Sequence, residues 1–167
     1  MNKEKIHEYI DEQIKSTLSL KENYEIFVKI FNVLKNARDT GKQVFVMGNG
    51  GSASTASHFV ADLLKTSITQ ENKRFKAISL SDNIPVLLAW SNDESYDNIF
   101  SNQLENFLEK DDVVIGISGS GNSKNVLNAI QLANKKHATT IGLNGKGGGK
   151  LSEIVKINLT VKSEDML

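Results

Sequence analysis

The sequence predicts an α/β fold in three layers: an open, five-stranded parallel sheet covered by helices on both faces and preceded by two N-terminal helices. Two observations carry this prediction. Five short apolar runs, rich in β-branched residues, alternate with stretches of helical periodicity, which is typical of buried parallel strands joined by helices. Residues 1–41 contain helical patterns alone. Because 167 residues suit one core better than two, we predict a single domain over residues 1–167.

The N-terminal helices are predicted from apolar residues that recur at every third or fourth position. The stripe of the first helix consists of Ile6, Ile10, Ile14 and Leu18. The second helix ends near Gly41, where a glycine can provide a left-handed stop. Little sheet is left for the first helix to cover, so we expect residues 1–41 to be an oligomerisation segment. Packing of the stripe within one chain is the alternative.

The five predicted strands follow in chain order. They are the runs 44–47, 77–80, 113–117, 140–143 and 157–161. The single proline, Pro85, is expected in a loop or in the first turn of a helix. No linker or internal repeat interrupts the pattern, which again indicates one domain.

Composition excludes several classes of protein. Lys plus Arg and Asp plus Glu each number 20, so no excess of positive charge is present to attract nucleic acid or an anionic membrane. The chain has no cysteine, which excludes disulfides and thiolate metal sites and makes the cytoplasm the expected compartment. No apolar run resembles a signal peptide or a membrane span, so we expect a soluble protein.

Two strand-to-helix turns are rich in glycine and serine, and both are expected at the carboxyl edge of the sheet, where ligands bind. The first is 48–53, Gly-Asn-Gly-Gly-Ser-Ala. Its glycines let a ligand approach the backbone, and Ser52 can cap the next helix. The turn also fits the loose dinucleotide pattern G-x-G-x-x-A, but Asp82 comes too late to be the ribose-binding acid. We therefore expect no nucleotide cofactor.

The second turn is 118–123, Ser-Gly-Ser-Gly-Asn-Ser. Three hydroxyl groups, backbone N–H groups and the start of a helix near Lys124 meet there, which suits a phosphate and needs no net charge. Ordinary capping is the alternative, because these residue types are common in any such turn. A third glycine-rich run, 145–150, does not match a P-loop and is expected to be a mobile loop near the site.

His58 and Asp62 stand out among the ionisable residues. They are four residues apart on the helix after the first turn, so they share one helical face. Such a pair can act as acid and base or hold a divalent metal, although most pairs at this spacing are surface ion pairs. Asn92-Asp93 is expected to reach sugar hydroxyls from a loop. The remaining histidines are expected to be solvated: His7 and His137.

Taken together, these motifs resemble those of the phosphoheptose isomerases, a branch of the SIS (sugar isomerase) domain family. The resemblance covers the whole chain and is carried, in order, by 48–52, 58–59, 91–93, 116–123 and 145–150. It implies a flavodoxin-like sheet and a homotetramer with sites at subunit interfaces. The implied reaction interconverts sedoheptulose 7-phosphate and glycero-manno-heptose 7-phosphate through an enediol. That reaction serves nucleotide-heptose synthesis for surface lipopolysaccharide or capsule.

The resemblance also implies roles for single residues. Asp62 stands where the family has a catalytic acid–base glutamate, and His58 beside it is implied as a substrate or metal ligand. An aspartate is one methylene shorter, which changes its reach toward the reacting carbon. The residues implied to bind substrate are Asn49, Gly50, Gly51, Ser52, Asn92, Asp93, Ser118, Gly119, Ser120 and Ser123.

Zinc is the cofactor that the resemblance suggests. Some family members bind it through the positions of His58 and Asp62, together with a glutamine and a histidine from a C-terminal helix. The sequence stops at Leu167, before the expected start of that helix, so the family's catalytic histidine is not in it. This difference and the aspartate at position 62 favour the main alternative, a non-catalytic module that binds a sugar phosphate or the replication initiator protein. An isomerase of another sugar phosphate, such as a hexose phosphate, is the third hypothesis.

Overall fold

The sheet of the protein is seen in a computed structural model that describes residues 3–162. It has five parallel strands in the order β2-β1-β3-β4-β5. The strands are β1 (Gln43–Gly48), β2 (Lys76–Ser79), β3 (Val113–Ser118), β4 (Thr139–Asn144) and β5 (Ile157–Thr160). The predicted sheet is confirmed. Its order reverses between β1 and β3, and ligands of such sheets bind at this point.

Seven α-helices accompany the sheet within residues 3–162: α1 (Lys3–Ser19), α2 (Tyr24–Thr40), α3 (Gly51–Ala61), α4 (Ile84–Asp93), α5 (Ser101–Phe107), α6 (Lys124–Lys135) and α7 (Gly149–Ile154). The two predicted N-terminal helices are thus confirmed. The second ends at Gly41, whose φ of 73° is the expected left-handed stop. Pro85 lies in the first turn of α4. None of these helices is both long and apolar enough to cross a membrane.

Both faces of the sheet are buried under helices. In β1, Val44 and Val46 belong to the cluster formed with α2 and α3, whereas Phe45 and Met47 belong to the cluster formed with α5 and α6. All four side chains are 0% exposed. Because successive side chains of a strand point to opposite faces, a strand covered on both sides is a continuous apolar run. This is why the apolar runs predict a parallel sheet.

The first helix, α1, lies outside this core. Only Ser16 of α1 is buried, and its Oγ donates to the carbonyl of Lys162 at 3.3 Å. The apolar stripe consists of Ile6, Ile10, Ile14 and Leu18, which are 42%, 47%, 52% and 53% exposed. The described part of the chain therefore leaves about half of each of these side chains exposed.

The start of α3 corrects the prediction that Ser52 caps this helix. The N-cap is Gly50, and no side chain caps the helix. Gly50 has φ of 53° and ψ of −122°, a conformation that glycine adopts because it has no Cβ. The backbone thus turns into the helix before Ser52, and this serine lies in the first helical turn.

Two further expectations are corrected in the same way. Asn92-Asp93 does not lie in a loop but forms the end of α4, because the helix continues until the N–H of Glu94 donates to the carbonyl of Trp90. The run 145–150 is only partly a loop. Its last two residues, Gly149 and Lys150, begin α7.

Candidate functional site

The carboxyl ends of the strands border a cavity of 580 Å³. It lies at the reversal of the strand order, between the edge of the sheet and α1. Its polar lining includes Gln13, Asn49, Ser52, Thr55, Asn144 and Lys146. Volumes of this order are common for small-molecule sites, and ligands of such sheets bind at the carboxyl ends of the strands, so this cavity is the candidate ligand site.

The turn after β1 brings Asn49 to the cavity and holds its amide by three hydrogen bonds. Asn49 Oδ1 accepts from Tyr96 Oη and from Asn125 Nδ2, both at 2.8 Å. In return, Asn49 Nδ2 donates to Asn125 Oδ1 at 2.9 Å. An amide nitrogen has two hydrogens, so Asn49 keeps one donor for a ligand. The reciprocal pair fixes which end of the amide faces which partner.

The serine loop, residues 118–123, forms a compact turn between β3 and α6. Ser118 is buried, and its Oγ shares a hydrogen bond with Ser123 Oγ at 3.0 Å. Ser120 Oγ accepts from the backbone of Asn122 at 3.2 Å. Ser123 is the N-cap of α6 but makes no capping hydrogen bond with its side chain. The serines are thus gathered beside the start of a 12-residue helix, where the helix dipole favours an anion.

The glycine-rich run 145–150 packs directly on the serine loop. The N–H of Gly145 donates to the carbonyl of Gly119 at 3.0 Å, and that of Leu151 donates to Gly121 at 2.9 Å. Gly121 has φ of 65°, and a Cβ on it would overlap the backbone of Gly148. Only a glycine fits this close approach. The two turns therefore form one unit.

His58 and Asp62 come together on α3 and the turn after it, as their spacing predicts. His58 Nε2 lies 3.7 Å from Asp62 Oδ2, and the two side chains are 80% and 54% exposed. Asp62 Oδ1 accepts from Thr66 Oγ1 at 2.8 Å. Asp62 also starts a single π-helical turn, Asp62–Thr66, and such turns are frequent at functional sites. The pair is a partly solvated carboxylate–imidazole couple.

The structure brings together some of the predicted site residues and leaves others apart. Those that line the cavity are Asn49, Gly51, Ser52 and Gly119. Those outside its lining are Gly50, His58, Asp62, Asn92, Asp93, Ser118, Ser120 and Ser123. Thr55 lines the cavity, however, and His58 and Asp62 follow three and seven residues later, so both continue the same face of α3. Asn92 donates to Asp93 Oδ1 at 2.8 Å, and both side chains are exposed.

Sequence reasoning missed several residues that hold or line the site, among them Tyr96, Asn125 and Asn144. Tyr96 and Asn125 orient Asn49. Asn144 is the last residue of β4 and lines the cavity. A polar residue at the carboxyl end of a predicted parallel strand is a usable signal, and Asn144 carries it. Nothing in the sequence pairs Asn125 with Asn49, which lies 76 residues away.

A zinc ion does not fit the ligands that the described residues provide. His58 and Asp62 are two suitable donors, but among residues 3–162 no group of three or more His, Cys, Asp or Glu side chains is placed to hold a metal. A tetrahedral zinc site needs more ligands than this pair supplies. The predicted C-terminal partners lie outside the described residues.

The fold and the glycine–serine turns at its switch point define a SIS domain, and this family matches residues 8–145. The chain belongs to the SIS domain family. Within the family its relatives are phosphoheptose isomerases. The phosphoheptose isomerase of Geotalea daltonii is 40% identical over 159 residues, 95% of this chain and 80% of that protein. The probable phosphoheptose isomerase of Thermoplasma acidophilum is 40% identical over 156 residues, 93% of this chain and 84% of that protein.

Solved structures of phosphoheptose isomerases are also similar to this chain. A phosphoheptose isomerase from Francisella tularensis has a TM-score of 0.92 at 27% identity, covering 99% of this chain and 89% of that chain. The one from Neisseria gonorrhoeae has a TM-score of 0.90 at 28% identity, covering 98% and 87%. The similarity thus includes α1 and α2 as well as the sheet.

Proposed function

We propose that the chain is a phosphoheptose isomerase, an aldose–ketose isomerase that interconverts sedoheptulose 7-phosphate and glycero-manno-heptose 7-phosphate. The observation that carries this proposal is the 40% identity to a phosphoheptose isomerase across 95% of the chain. The reaction then belongs to nucleotide-heptose synthesis for surface lipopolysaccharide or capsule. We propose the cytoplasm as its compartment, since the cysteine-free composition suits a reducing environment; fractionation of cells tests this point.

The chemistry is a proton transfer between C1 and C2 of the sugar. A base removes a proton from C1 of the ketose, and the carbonyl oxygen on C2 gains a proton, which gives an enediol. Return of a proton to C2 and loss of the O1 proton give the aldose, so no oxidant or reductant is consumed. Asp62 is the acid–base residue in this proposal. His58, 3.7 Å from it, binds the substrate hydroxyls or shares the proton.

The phosphate and the reacting carbons lie at opposite ends of a seven-carbon chain, so their sites must be apart. The serine loop with the start of α6 holds the phosphate in this proposal, through Ser118, Ser120 and Ser123. Asn49, Ser52, Asn92 and Asp93 contact the sugar. From Thr55 in the cavity lining to Asp62 the helix advances about 10 Å at 1.5 Å per residue. This separation supports phosphate binding at the sheet and proton transfer further along α3.

We infer that the active unit is a homo-oligomer, a tetramer if it follows the family resemblance. The stripe of α1 is half exposed, and α2 adds Tyr24 and Phe31, which are 71% and 64% exposed. Apolar surface of this extent marks an interface. A neighbouring subunit that covered His58 and Asp62 would strengthen their electrostatic interactions, because it would exclude water from them.

We assign no step of the proposed reaction to zinc. His58 and Asp62 alone do not complete a metal site within residues 3–162. If additional ligands joined them, the ion would act as a Lewis acid on the sugar oxygens.

The test is NMR of the purified protein with sedoheptulose 7-phosphate in D₂O. Signals of an aldoheptose 7-phosphate and deuterium on C1 or C2 are expected, because the enediol exchanges its proton with solvent. A panel of hexose and pentose phosphates serves as the specificity control. Binding with neither conversion nor exchange would identify the non-catalytic module instead. Faster conversion of a hexose phosphate would identify a different isomerase.

A further inference from the structure

The glycine-rich run 145–150 brings a lysine into the cavity. Lys146 lines it together with Asn49, Ser52 and Gly119. Among residues 3–162, no other residue of the lining has an ionisable side chain. A single positive charge therefore borders the candidate site in a chain whose formal net charge is zero. Because a formal net charge of zero gives no long-range attraction for an anion, electrostatic attraction of an anion depends on charges close to the site.

Lys146 is held close to the serine loop by the backbone on both sides. The N–H of Gly145, the preceding residue, donates to the carbonyl of Gly119 at 3.0 Å. The N–H of Lys150 donates to Asn122 Oδ1 at 3.2 Å. The root of the Lys146 side chain is therefore tied to the turn that gathers the three serines.

The backbone at Lys146 is not one that a lysine prefers. Its φ is 44°, in the left-handed region that is uncommon for residues other than glycine, asparagine and aspartate. Lysine thus gives this turn no conformational advantage, and what it contributes is an ammonium group. Among residues 3–162, no carboxylate forms an ion pair with that group.

The two other lysines near the serine loop are less suited to bind a ligand in the cavity. Lys124 Nζ lies 3.5 Å from Asp97 Oδ2, so its charge already has a partner. Lys150 lies on α7 and is not part of the cavity lining. Lys150 therefore serves as a matched control, from the same glycine-rich run.

We propose that the ammonium group of Lys146 binds the phosphate of the substrate and selects phosphorylated sugars over neutral ones. The inference rests on the proposed function, because it names a specificity residue for the same site. The serine loop supplies neutral donors, and Lys146 adds the charge. A hydrogen bond to a charged group is stronger than one between neutral groups. Loss of this bond is expected to weaken phosphate binding roughly 10- to 100-fold.

The experiment is calorimetric titration of the purified full chain with sedoheptulose 7-phosphate and, separately, with sedoheptulose. The variants are Lys146→Asn, Lys146→Arg and the control Lys150→Gln. Asparagine tolerates the left-handed backbone, so the first variant removes the charge without disturbing the turn. Lys146→Asn is expected to lose the preference for the phosphorylated sugar, whereas Lys150→Gln keeps it and Lys146→Arg keeps most of it.

Added salt provides a second measurement. Binding of the phosphorylated sugar to the unchanged protein should weaken as salt rises, and binding to Lys146→Asn should depend less on salt. Equal affinities of Lys146→Asn and the unchanged protein would overturn the proposal and leave the isomerase function intact. Binding that depends on Lys146 without any isomerisation would instead overturn the isomerase function alone. If the unchanged protein bound neither sugar, both the role of Lys146 and the isomerase function would be contradicted.

Discussion

Asp62 is the residue on which the proposed chemistry depends. Its carboxylate is near His58, accepts from Thr66 Oγ1 at 2.8 Å and starts a π-helical turn. The extra residue in a π turn shifts the side chains that follow it relative to a regular helix, which is one way of aiming a functional group. Position 62 therefore combines a carboxylate that can transfer a proton with a π-helical backbone.

Replacement of Asp62 by Asn tests its role in proton transfer. The amide is isosteric but is not a base, so kcat is expected to fall by about 10²- to 10⁴-fold, while sedoheptulose 7-phosphate still binds. The measurement is the rate of aldoheptose formation by NMR. Asp111→Asn is the matched control, because Asp111 is exposed, far from the carboxyl edge, and has a φ of 68° that asparagine tolerates.

Asp62→Glu completes this test. The family resemblance puts a glutamate at this position, so the longer carboxylate is expected to keep measurable activity. Full activity of Asp62→Asn would show that another group moves the proton.

At the scale of elements, the site depends on two turns that are packed on each other. The run 145–150 donates two hydrogen bonds to the serine loop, from the backbone N–H groups of Gly145 and Lys150, and the next residue, Leu151, donates a third. The contact is close because Gly121 lies against the backbone of Gly148. The phosphate-binding turn is thus supported by the turn after β4.

Gly121→Ala is expected to separate the two turns. The new Cβ would overlap the backbone of Gly148, which cannot move as a flexible side chain would. We expect a loss of about 3 kcal/mol in the free energy of unfolding, as for other strained or overpacked sites, and weaker phosphate binding. Urea denaturation measures the first and calorimetry the second.

The control for Gly121→Ala is Gly147→Ala. Gly147 has φ of 75°, and a Cβ on it would have no neighbour within 4 Å. Gly147→Ala is expected to lower the free energy of unfolding by only about 1 kcal/mol, because alanine is disfavoured in left-handed backbone. Equal losses in the two variants would show that backbone conformation, and not the contact between the turns, requires Gly121.

At the scale of the whole molecule, one chain leaves a large apolar surface in water. The stripe of α1 is 42% to 53% exposed, and Ser16 is the only buried residue of that helix. Ser16 attaches α1 to its own chain on the face opposite the stripe. The stripe is therefore free to contact another subunit.

The double variant Ile10→Lys/Ile14→Lys is expected to dissociate the oligomer. Two charges in the centre of the stripe oppose burial of this surface, so light scattering with size-exclusion chromatography should show smaller species. Isomerase activity should fall with them, if a neighbour covers His58 and Asp62. The control is Glu8→Lys, on the opposite face of α1. A monomeric unchanged protein, or a double variant that keeps its size, would contradict this prediction.

The sequence was sufficient for the features that depend on local pattern. The run Val44–Met47 predicts a doubly buried strand because its four successive side chains are all apolar and point alternately to the two faces, and the structure has β1 there. The turn chemistry of 118–123 predicts the start of α6, since serine, glycine and asparagine act on the backbone nearest to them. Ser52 was predicted wrongly as a cap because the preceding Gly50 can turn the chain earlier, and either start is locally allowed.

By itself, then, the sequence determined the strands, the helices and the two turns that border the site, because periodicity and turn preferences are properties of neighbouring residues. Only the tertiary structure decided that Asn125 and Tyr96 hold Asn49, and that Lys146 lines the cavity. The partners of Asn49 lie 76 and 47 residues away. They meet because the order β2-β1-β3-β4-β5 brings the ends of β1, β3 and β4 together, and burial of both sheet faces stabilises that order.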